Sequence, residues 1–203
     1  MTTRGRPALV SDETILDRAL AAFAVAGYAA MSVRALNAEL GLSHETVSKR
    51  FGPKDELFRA AVQHGVNQFI EDLDRELERA RPTDDLELLR ATLRAFMVAV
   101  SRHPTLGELL HHPSIDEAHR AAITDNAGLA DRIVETAALL HRLRDAGTIR
   151  DTQLREVWFL TQGAVTPLHF RALSEMFDPF DGPIDTEQHL DRMTDAIIRG
   201  MRA

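Results

Sequence analysis

Apolar residues recur at three- and four-residue steps along nearly the whole chain, the periodicity of amphipathic helices. Breakers cut that pattern into segments. Ile15, Ala19, Leu20, Phe23 and Ala26 form the first stripe. Ser11 precedes it as an N-cap, Asp12 and Glu13 follow in the electropositive first turn, and Gly27 marks its end. Val33, Leu36 and Leu40 predict a short second helix capped by Ser32. Gly41 supplies a tight turn, because a left-handed backbone costs glycine little. Ser43 is the predicted cap of a third helix whose inward residues are Val47 and Phe51, and Gly52-Pro53 stops it. Pro53 stands near the first position of the next helix, where its missing N–H is tolerated.

A long fourth helix follows. Leu57, Phe58, Ala61, Val62, Val66, Phe69, Ile70, Leu73 and Leu77 keep one face until Arg81-Pro82. It spans roughly 40 Å at 1.5 Å per residue, enough to join two domains. Gly65 interrupts the stripe and is a candidate bend. Beyond it, Asp84–Arg102 is periodic through Leu88, Leu89, Leu93, Phe96, Met97 and Val100. A short segment, 106–111, ends at Pro113, and 114–144 reads as one long or one broken helix ended by Gly147. Asp151 or Thr152 caps a helix running through Trp158 to about Phe177, with Pro167 inside it as a predicted kink. Residues 178–183 (DPFDGP) read as a loop, and Thr186 caps a last helix through Leu190, Met193, Ile197, Ile198 and Met201. There is no strand signal and no repeat. The fold class is all-α with about nine helices: an N-terminal three-helix domain over 1–59, with an arm over 1–10, and a helical domain over 60–203.

Composition sharpens the picture in three ways. The chain has 203 residues, 44% hydrophobic and 27% charged, as in ordinary globular proteins. It has no cysteine, which removes disulfides, thiolate metal sites and cysteine nucleophiles. No apolar run approaches the roughly 20 residues that span a bilayer, and the basic N-terminus lacks a signal-peptide apolar core, so no membrane partner and a cytoplasmic location are expected. The net charge of −7 is unevenly placed. Residues 1–59 carry eight Lys/Arg against seven Asp/Glu, a balance of +1 that leaves −8 for the remainder. Lys49, Arg50 and Lys54 fall within six residues, so a polyanion would dock at this end only.

Residues 32–58, two short helices around a glycine turn and then a third helix start, have the grammar of a helix-turn-helix, which reads base edges in the major groove. The segment 11–61 resembles the TetR family of transcriptional regulators. The resemblance is carried by the Arg-Gly-Arg-Pro arm, Leu20-Ala-Ala-Phe23, Ala26-Gly27-Tyr28, Ser32-Val33-Arg34, Gly41-Leu42-Ser43, Thr46-Val47 and Phe51-Gly52-Pro53-Lys54-Asp55-Glu56-Leu57-Phe58. The rest matches in helix count and order, and 145–151 (DAGTIRD) resembles the turn before the family's dimerisation helices. The resemblance implies a homodimer, joined through the last two helices, that binds a double-stranded palindromic operator. It implies a repressor, less often an activator, whose operator affinity is changed by a small-molecule effector in the C-terminal domain. The alternative is an all-helical binding or scaffold protein that has lost DNA recognition.

His44, Glu45 and Thr46 are the candidates for base edges, with Ser43 as cap. Glu45 either accepts from cytosine N4 or merely favours the positive helix terminus. Ser48, Lys49 and Arg50 are candidates for backbone phosphates. Lys54 either meets a phosphate or is a solvated lysine. Arg34 either reaches a phosphate or pairs with Glu39. Arg4 and Arg6 belong to an arm that can enter the minor groove. The sequence departs from the family at Ser48, usually tyrosine, at Lys49, usually histidine, and at Pro53, usually a serine-like cap.

For the effector, Phe96, Val100, His103, Leu109, Leu110, Trp158, Gln162, Thr166, His169 and Phe170 are candidate pocket residues. Gln162 and His169 are the strongest of these because buried polar groups demand a partner, although either could face the dimer partner instead. The nine histidines form no metal pattern: His112, Asp116 and His119 have helical spacing, but Pro113 lies between them. There is no phosphate loop, no His-Glu-x-x-His helix and no patterned Ser-His-Asp set, so no cofactor, metal or enzymatic activity is expected.

Overall fold

A computed structural model describes residues 10–203 of the protein. These residues are all-α, as the periodicity predicts. The helices are α1 (Asp12–Ala30), α2 (Val33–Glu39), α3 (Thr46–Phe51), α4 (Lys54–Ala80), α5 (Asp85–Arg102), α6 (Pro104–His111), α7 (Glu117–Thr124), α8 (Ala127–Asp145), α9 (Leu154–His169), α10 (Arg171–Ser174), α11 (Asp178–Asp181) and α12 (Thr186–Met201). The only β-type pairing among the described residues is an isolated bridge, Ile149 with Arg202. Among the described residues no helix is long and apolar enough to cross a membrane.

The caps explain the boundaries. Ser11 accepts from Thr14 N–H, Ser32 from Ala35 N–H and Asp84 from Glu87 N–H. The predicted long segment 114–144 is broken, because Asn126 caps α8 by accepting from Leu129 N–H. Two other caps sit beside the expected residue. Asp185, not Thr186, caps α12, and Gln153 precedes α9, while the Thr152 hydroxyl turns back to the Arg150 carbonyl. The helix expected to reach Phe177 ends at His169 and continues as short turns. Part of the predicted 178–183 loop is the single turn α11, begun by a proline near its first position and ended by Gly182 at φ 77°.

Two compact units emerge, and the division between them falls within α4. The first takes in residues up to Val66 together with Thr105–Thr124. Its core is Ile15, Phe23, Leu36, Val47, Leu57 and Phe58, with Leu109 from α6 and Ile123 from α7 also buried. Phe23, Tyr28 and Phe58 pack ring against ring, with centroids 5.0–5.9 Å apart, and the His119 ring lies 3.6 Å from Tyr28. Gly27 breaks α1 at φ 73°. A Cβ there would come within 2.1 Å of Ser114 Oγ and 2.7 Å of His112, so glycine is required by space as well as by backbone. Gly65, within α4, is a close approach: a Cβ there would meet Leu20 at 2.5 Å and Leu106 at 3.2 Å.

The second unit, Asn67–Pro104 with Asp125–Ala203, is built around α5, which packs on α8, α9 and α12. Leu89, Leu93, Met97, Leu139, Val157, Leu190 and Ile198 are buried within it. Arg94 of α5 is shared by Asp191 and Glu187 of α12, both at 2.6 Å, which keeps its guanidinium more basic than usual despite partial burial. His103 closes α5 and lies 2.9 Å from Asp72. Burial pushes the Asp72 carboxyl up, but the His103 hydrogen bond and the charges of His103, Arg102 and Arg75 outweigh it and leave it below its ordinary value. Pro167 cannot donate to the Gly163 carbonyl, and next to that gap the Ala164 carbonyl is met by His189 of α12 at 2.7 Å.

The ring cluster supplies the test of the first unit. Phe58→Ala removes a fully buried ring from among Phe23, Tyr28 and His119. It is expected to cost about 3–5 kcal/mol, read as a lowered urea midpoint; a loss under about 1 kcal/mol would show that the cluster is not structural.

Candidate nucleic-acid interface and ligand cavity

The turn between α2 and α3 is organised by a residue that periodicity did not flag. Asn37 is fully buried. Its amide nitrogen donates to the carbonyls of Val33 (3.0 Å) and His44 (3.2 Å), and its amide oxygen accepts from Val47 N–H (3.2 Å). The last bond replaces the predicted serine cap. Helix α3 begins at Thr46, its N-cap position is Glu45, and the Glu45 side chain makes no cap bond. Val47 N–H, which a local cap would satisfy, is satisfied from α2 instead. Ser43 is left to bond the Thr46 hydroxyl at 2.6 Å. The signal for Asn37 in the sequence is a lone asparagine one step from Leu36 in the inward stripe of α2.

Around this anchor, Ser43, His44, Glu45, Ser48 and Lys49 form an exposed surface, with Thr46 half-buried and Val47 turned inward. Lys49 and Glu45 pair at 2.7 Å, both largely exposed. Such an exposed pair contributes about 0–1 kcal/mol and opens readily. Arg50 and Lys54 point elsewhere. Arg50 reaches α1, donating to the Val10 carbonyl (2.7 Å) and to Asp12 (3.1 Å). Lys54 donates to the Ala29 carbonyl at 3.1 Å, with its ammonium 4.9 Å over the Tyr28 ring. Arg34 is exposed, and Glu39 faces Arg18 at 3.9 Å rather than Arg34. Arg4 and Arg6 lie outside the described residues. Pro53 stands before α4 and its carbonyl accepts from Leu57 N–H at 3.0 Å, so the missing donor costs the helix nothing. The His119 ring nitrogen lies 2.7 Å from Asp116, and hydrogen bonds from the His119 backbone and ring hold that carboxyl below its ordinary value. Among the described residues no three His, Asp or Glu side chains are placed to hold a metal.

The second unit contains a cavity of about 1110 Å³ between α4, α5, α8 and α9. Of the residues the sequence suggests, Phe96 and Trp158, with ring centroids 5.0 Å apart, line it. The other candidates lie elsewhere. Val100 is buried in the packing of α5 and His103 is held by Asp72. Leu110 belongs to the first unit, where its carbonyl accepts from Arg120 and its neighbour Leu109 is core. The Gln162 carbonyl accepts from the Thr166 hydroxyl. Thr166 and Phe170 line a separate cavity of about 460 Å³ beside Phe177 and His189. His169 has a buried ring nitrogen without a partner.

The residues missed are mostly on α8 and the first turns of α9. Leu129, Ile133 and Thr136 recur at helical steps on α8, and Leu154, Val157, Trp158 and Thr161 do so on α9. Three arginines also line the space. Arg132 pairs with Asp74 and Glu135 at 2.8 Å each; burial lowers its pKa, and the Glu135 hydrogen bond and both carboxylate charges more than offset that. Arg142 grips Asp85 through two bonds of 2.8 and 3.0 Å, which hold the carboxyl below and the guanidinium above their ordinary values. The third is Arg155.

Residues 15–61 match the family of bacterial regulatory proteins named for tetR. The chain therefore carries the amino-terminal domain of that family, and the likeness in fold extends along most of its length. It is similar to the crystal structure of a TetR family transcriptional regulator, PfmR, from Thermus thermophilus, at 23% identity over 93% of this chain and 99% of that one, with a TM-score of 0.61. A TetR-like transcriptional regulator from a Rhodococcus species is similar at 23% identity over 92% of each chain, TM-score 0.58. AibR, solved in complex with isovaleryl coenzyme A and operator DNA, is similar at 21% identity over 93% and 96%, TM-score 0.64. No curated protein matches the chain by sequence.

Asn37→Ala leaves the buried Val47 N–H without its partner and removes the side-chain bond to the His44 carbonyl. The expected cost is about 1–3 kcal/mol, accompanied by faster hydrogen exchange at the Val47 amide. Unchanged protection of that amide would show that α3 is seated by its apolar contacts alone.

Proposed function

We propose that this chain, whose residues 15–61 are a tetR-family amino-terminal domain, is a homodimeric transcriptional repressor released from a palindromic operator by a small molecule. The observation that carries the reading is the exposed surface Ser43, His44, Glu45, Ser48 and Lys49, presented by a helix whose first turn is fixed from α2. Residues at the N-terminal end of a recognition helix are those that meet base edges in the major groove. His44, Glu45 and Thr46 take that role, and Ser48, Lys49, Arg50, Arg34 and Lys54 take phosphates, with Arg4 and Arg6 in the minor groove. Lys54 and Arg50 then exchange protein carbonyls for phosphate oxygens. Charge-assisted bonds to phosphate are stronger than those to a carbonyl, which favours the exchange.

Residues 60–203 supply effector binding and dimerisation. The cavity of about 1110 Å³ is mostly apolar with a few polar groups, the usual character of a small-molecule site. The relative solved with isovaleryl coenzyme A and operator DNA supports a fold of this kind serving both partners. Dimerisation falls to α9 and α12. On α9, Phe159 is 63% exposed and Leu160 51% exposed, large apolar surface that a partner copy would cover. A two-fold dimer sets the recognition helices one turn of DNA apart, about 34–36 Å.

A second reading has its own observation. Arg50, Lys54 and Lys49 all have protein partners, so the unit offers phosphate few free cations. A small-molecule-binding protein that has lost DNA recognition would look the same. A mobility-shift assay on the DNA beside the gene separates the two, since a salt-sensitive shift supports the regulator and its absence at low salt supports the alternative. In the first case Lys54→Ala weakens binding for every sequence and reduces the salt slope by about one; an unchanged slope removes Lys54 from the phosphate contacts. For the dimer, the double substitution Phe159→Glu, Leu160→Glu is expected to halve the mass seen by light scattering. An unaltered dimer would place the interface away from α9.

A further inference from the structure

The lining of the large cavity is graded. Its inner wall is hydrocarbon, with Leu73, Leu93, Leu139 and Val157 buried beside Phe96. The polar groups deepest in it are the hydroxyls of Thr92, Thr136 and Thr161. Each donates its proton to its own helix, to the carbonyls of Leu88 (2.8 Å), Arg132 (2.8 Å) and Trp158 (2.7 Å). These three hydroxyl protons are therefore committed to backbone and offer a ligand no donor.

The charged lining lies on half-buried Arg132 and on exposed residues, and almost all of it is committed. Arg132 holds Asp74 and Glu135, Arg142 holds Asp85, and the Glu156 carboxylate accepts from Gln153 N–H at 3.1 Å. Arg155 is different. It lines the same space, is exposed, and makes no hydrogen bond or ion pair among the described residues. A cationic ligand would have to compete with Arg132 for Glu135, or with backbone for Glu156. An anionic one finds a free guanidinium, whose fork suits a carboxylate or phosphate.

Resting on the reading of this cavity as the effector site, we propose that its ligand is an amphiphile with a long hydrocarbon body and an anionic head, the body lying against Leu73, Leu93, Phe96 and Leu139 and the head meeting Arg155. The volume, above that of an ordinary drug-sized pocket, accommodates an extended chain. The same shared chemistry covers a free long-chain carboxylate and an acyl chain on a phosphorylated carrier. The chain's single tryptophan, Trp158, lines the cavity, so its fluorescence reports occupancy without a label.

The experiment titrates the full-length protein, without DNA, with dodecanoate, dodecanol, dodecylammonium and dodecanoyl-coenzyme A, each below its micelle concentration. Saturable change of Trp158 emission is expected with the anionic probes, at least tenfold tighter than with dodecylammonium. Arg155→Gln is expected to weaken dodecanoate about tenfold or more, equivalent to about 1.4 kcal/mol, to leave dodecanol unchanged, and Arg155→Lys to restore part of the loss. A stronger response to dodecanoate than to its coenzyme A ester selects the free acid, and the reverse selects the carrier-bound chain. Binding that ignores head-group charge, or that Arg155→Gln leaves intact, overturns the proposal, as does no response to any probe. The regulator reading fails separately: dodecanoate binding by a protein that shifts no DNA refutes regulation and leaves the ligand class standing. A DNA shift with no amphiphile response does the opposite.

Discussion

The amino-terminal unit of this protein depends on one buried amide. The buried Val47 N–H at the start of α3 has no local cap, and leaving it unpaired would cost on the order of 1–3 kcal/mol. Asn37 meets it, and the same side chain ties the His44 carbonyl back to α2. It needs a donor and an acceptor on a short, stiff arm, which limits the choice of residue. Because the amide enters α3 from α2, the two helices are tied by hydrogen bonds of fixed direction as well as by apolar contact. That makes the exposed surface from Ser43 to Lys49 a rigid one, the property a base-reading surface requires, since specificity rests on donors and acceptors held in register.

Charge is arranged around that surface in an unusual way. The charge balance over 1–59 is near neutrality, and two of its cations, Arg50 and Lys54, are held by Val10, Asp12 and Ala29. Lys54, on the Ala29 carbonyl and over Tyr28, is held in place at the start of α4, so if it met a phosphate it would exchange one oxygen acceptor for a charged one without ordering a free side chain. Non-specific affinity for a polyanion scales with the number of phosphates neutralised, and a near-neutral surface neutralises few.

The sequence made the helices legible because their caps and breakers are local. Ser11, Ser32, Gly41 and Gly52 act within a few residues of where they stand, and each performs the expected task, whereas Gly27 breaks α1 without ending it. What remained hidden depends on distant groups. Ser43 looked like a cap until Asn37, ten residues from Val47, took the donor. At Gly65 nothing local shows that Leu20 and Leu106 press against it. The cavity was partly visible for a geometric reason. Trp158, Gln162, Thr166 and Phe170 are spaced by four, and such a row drifts by about 40° per step on a straight helix of 3.6 residues per turn. It starts on the cavity at Trp158 and has left it by Gln162. The row that stays is Leu154, Val157, Trp158 and Thr161, at steps of three and four.

An apolar cavity of about 1110 Å³ is itself a constraint. Left empty it forfeits dispersion contacts that a well-packed core would make, so the fold retains it at a cost in stability. A ligand that filled it would recover that cost, and the recovered free energy would be available to bias a second equilibrium. Coupling between an effector and DNA is reciprocal: if the effector lowers operator affinity 5–150-fold, about 1–3 kcal/mol, the operator lowers effector affinity by the same factor. Only the difference in effector affinity between the DNA-competent and incompetent states counts. A ligand held only by the hydrocarbon wall would bind both states alike if that wall does not change between them. The discriminating contacts are then the polar ones at the mouth, where Arg132, Arg142 and Arg155 meet carboxylates on α4, α5 and α8 or remain free. Those ion pairs can be rearranged by an arriving charge, and the packed leucines cannot.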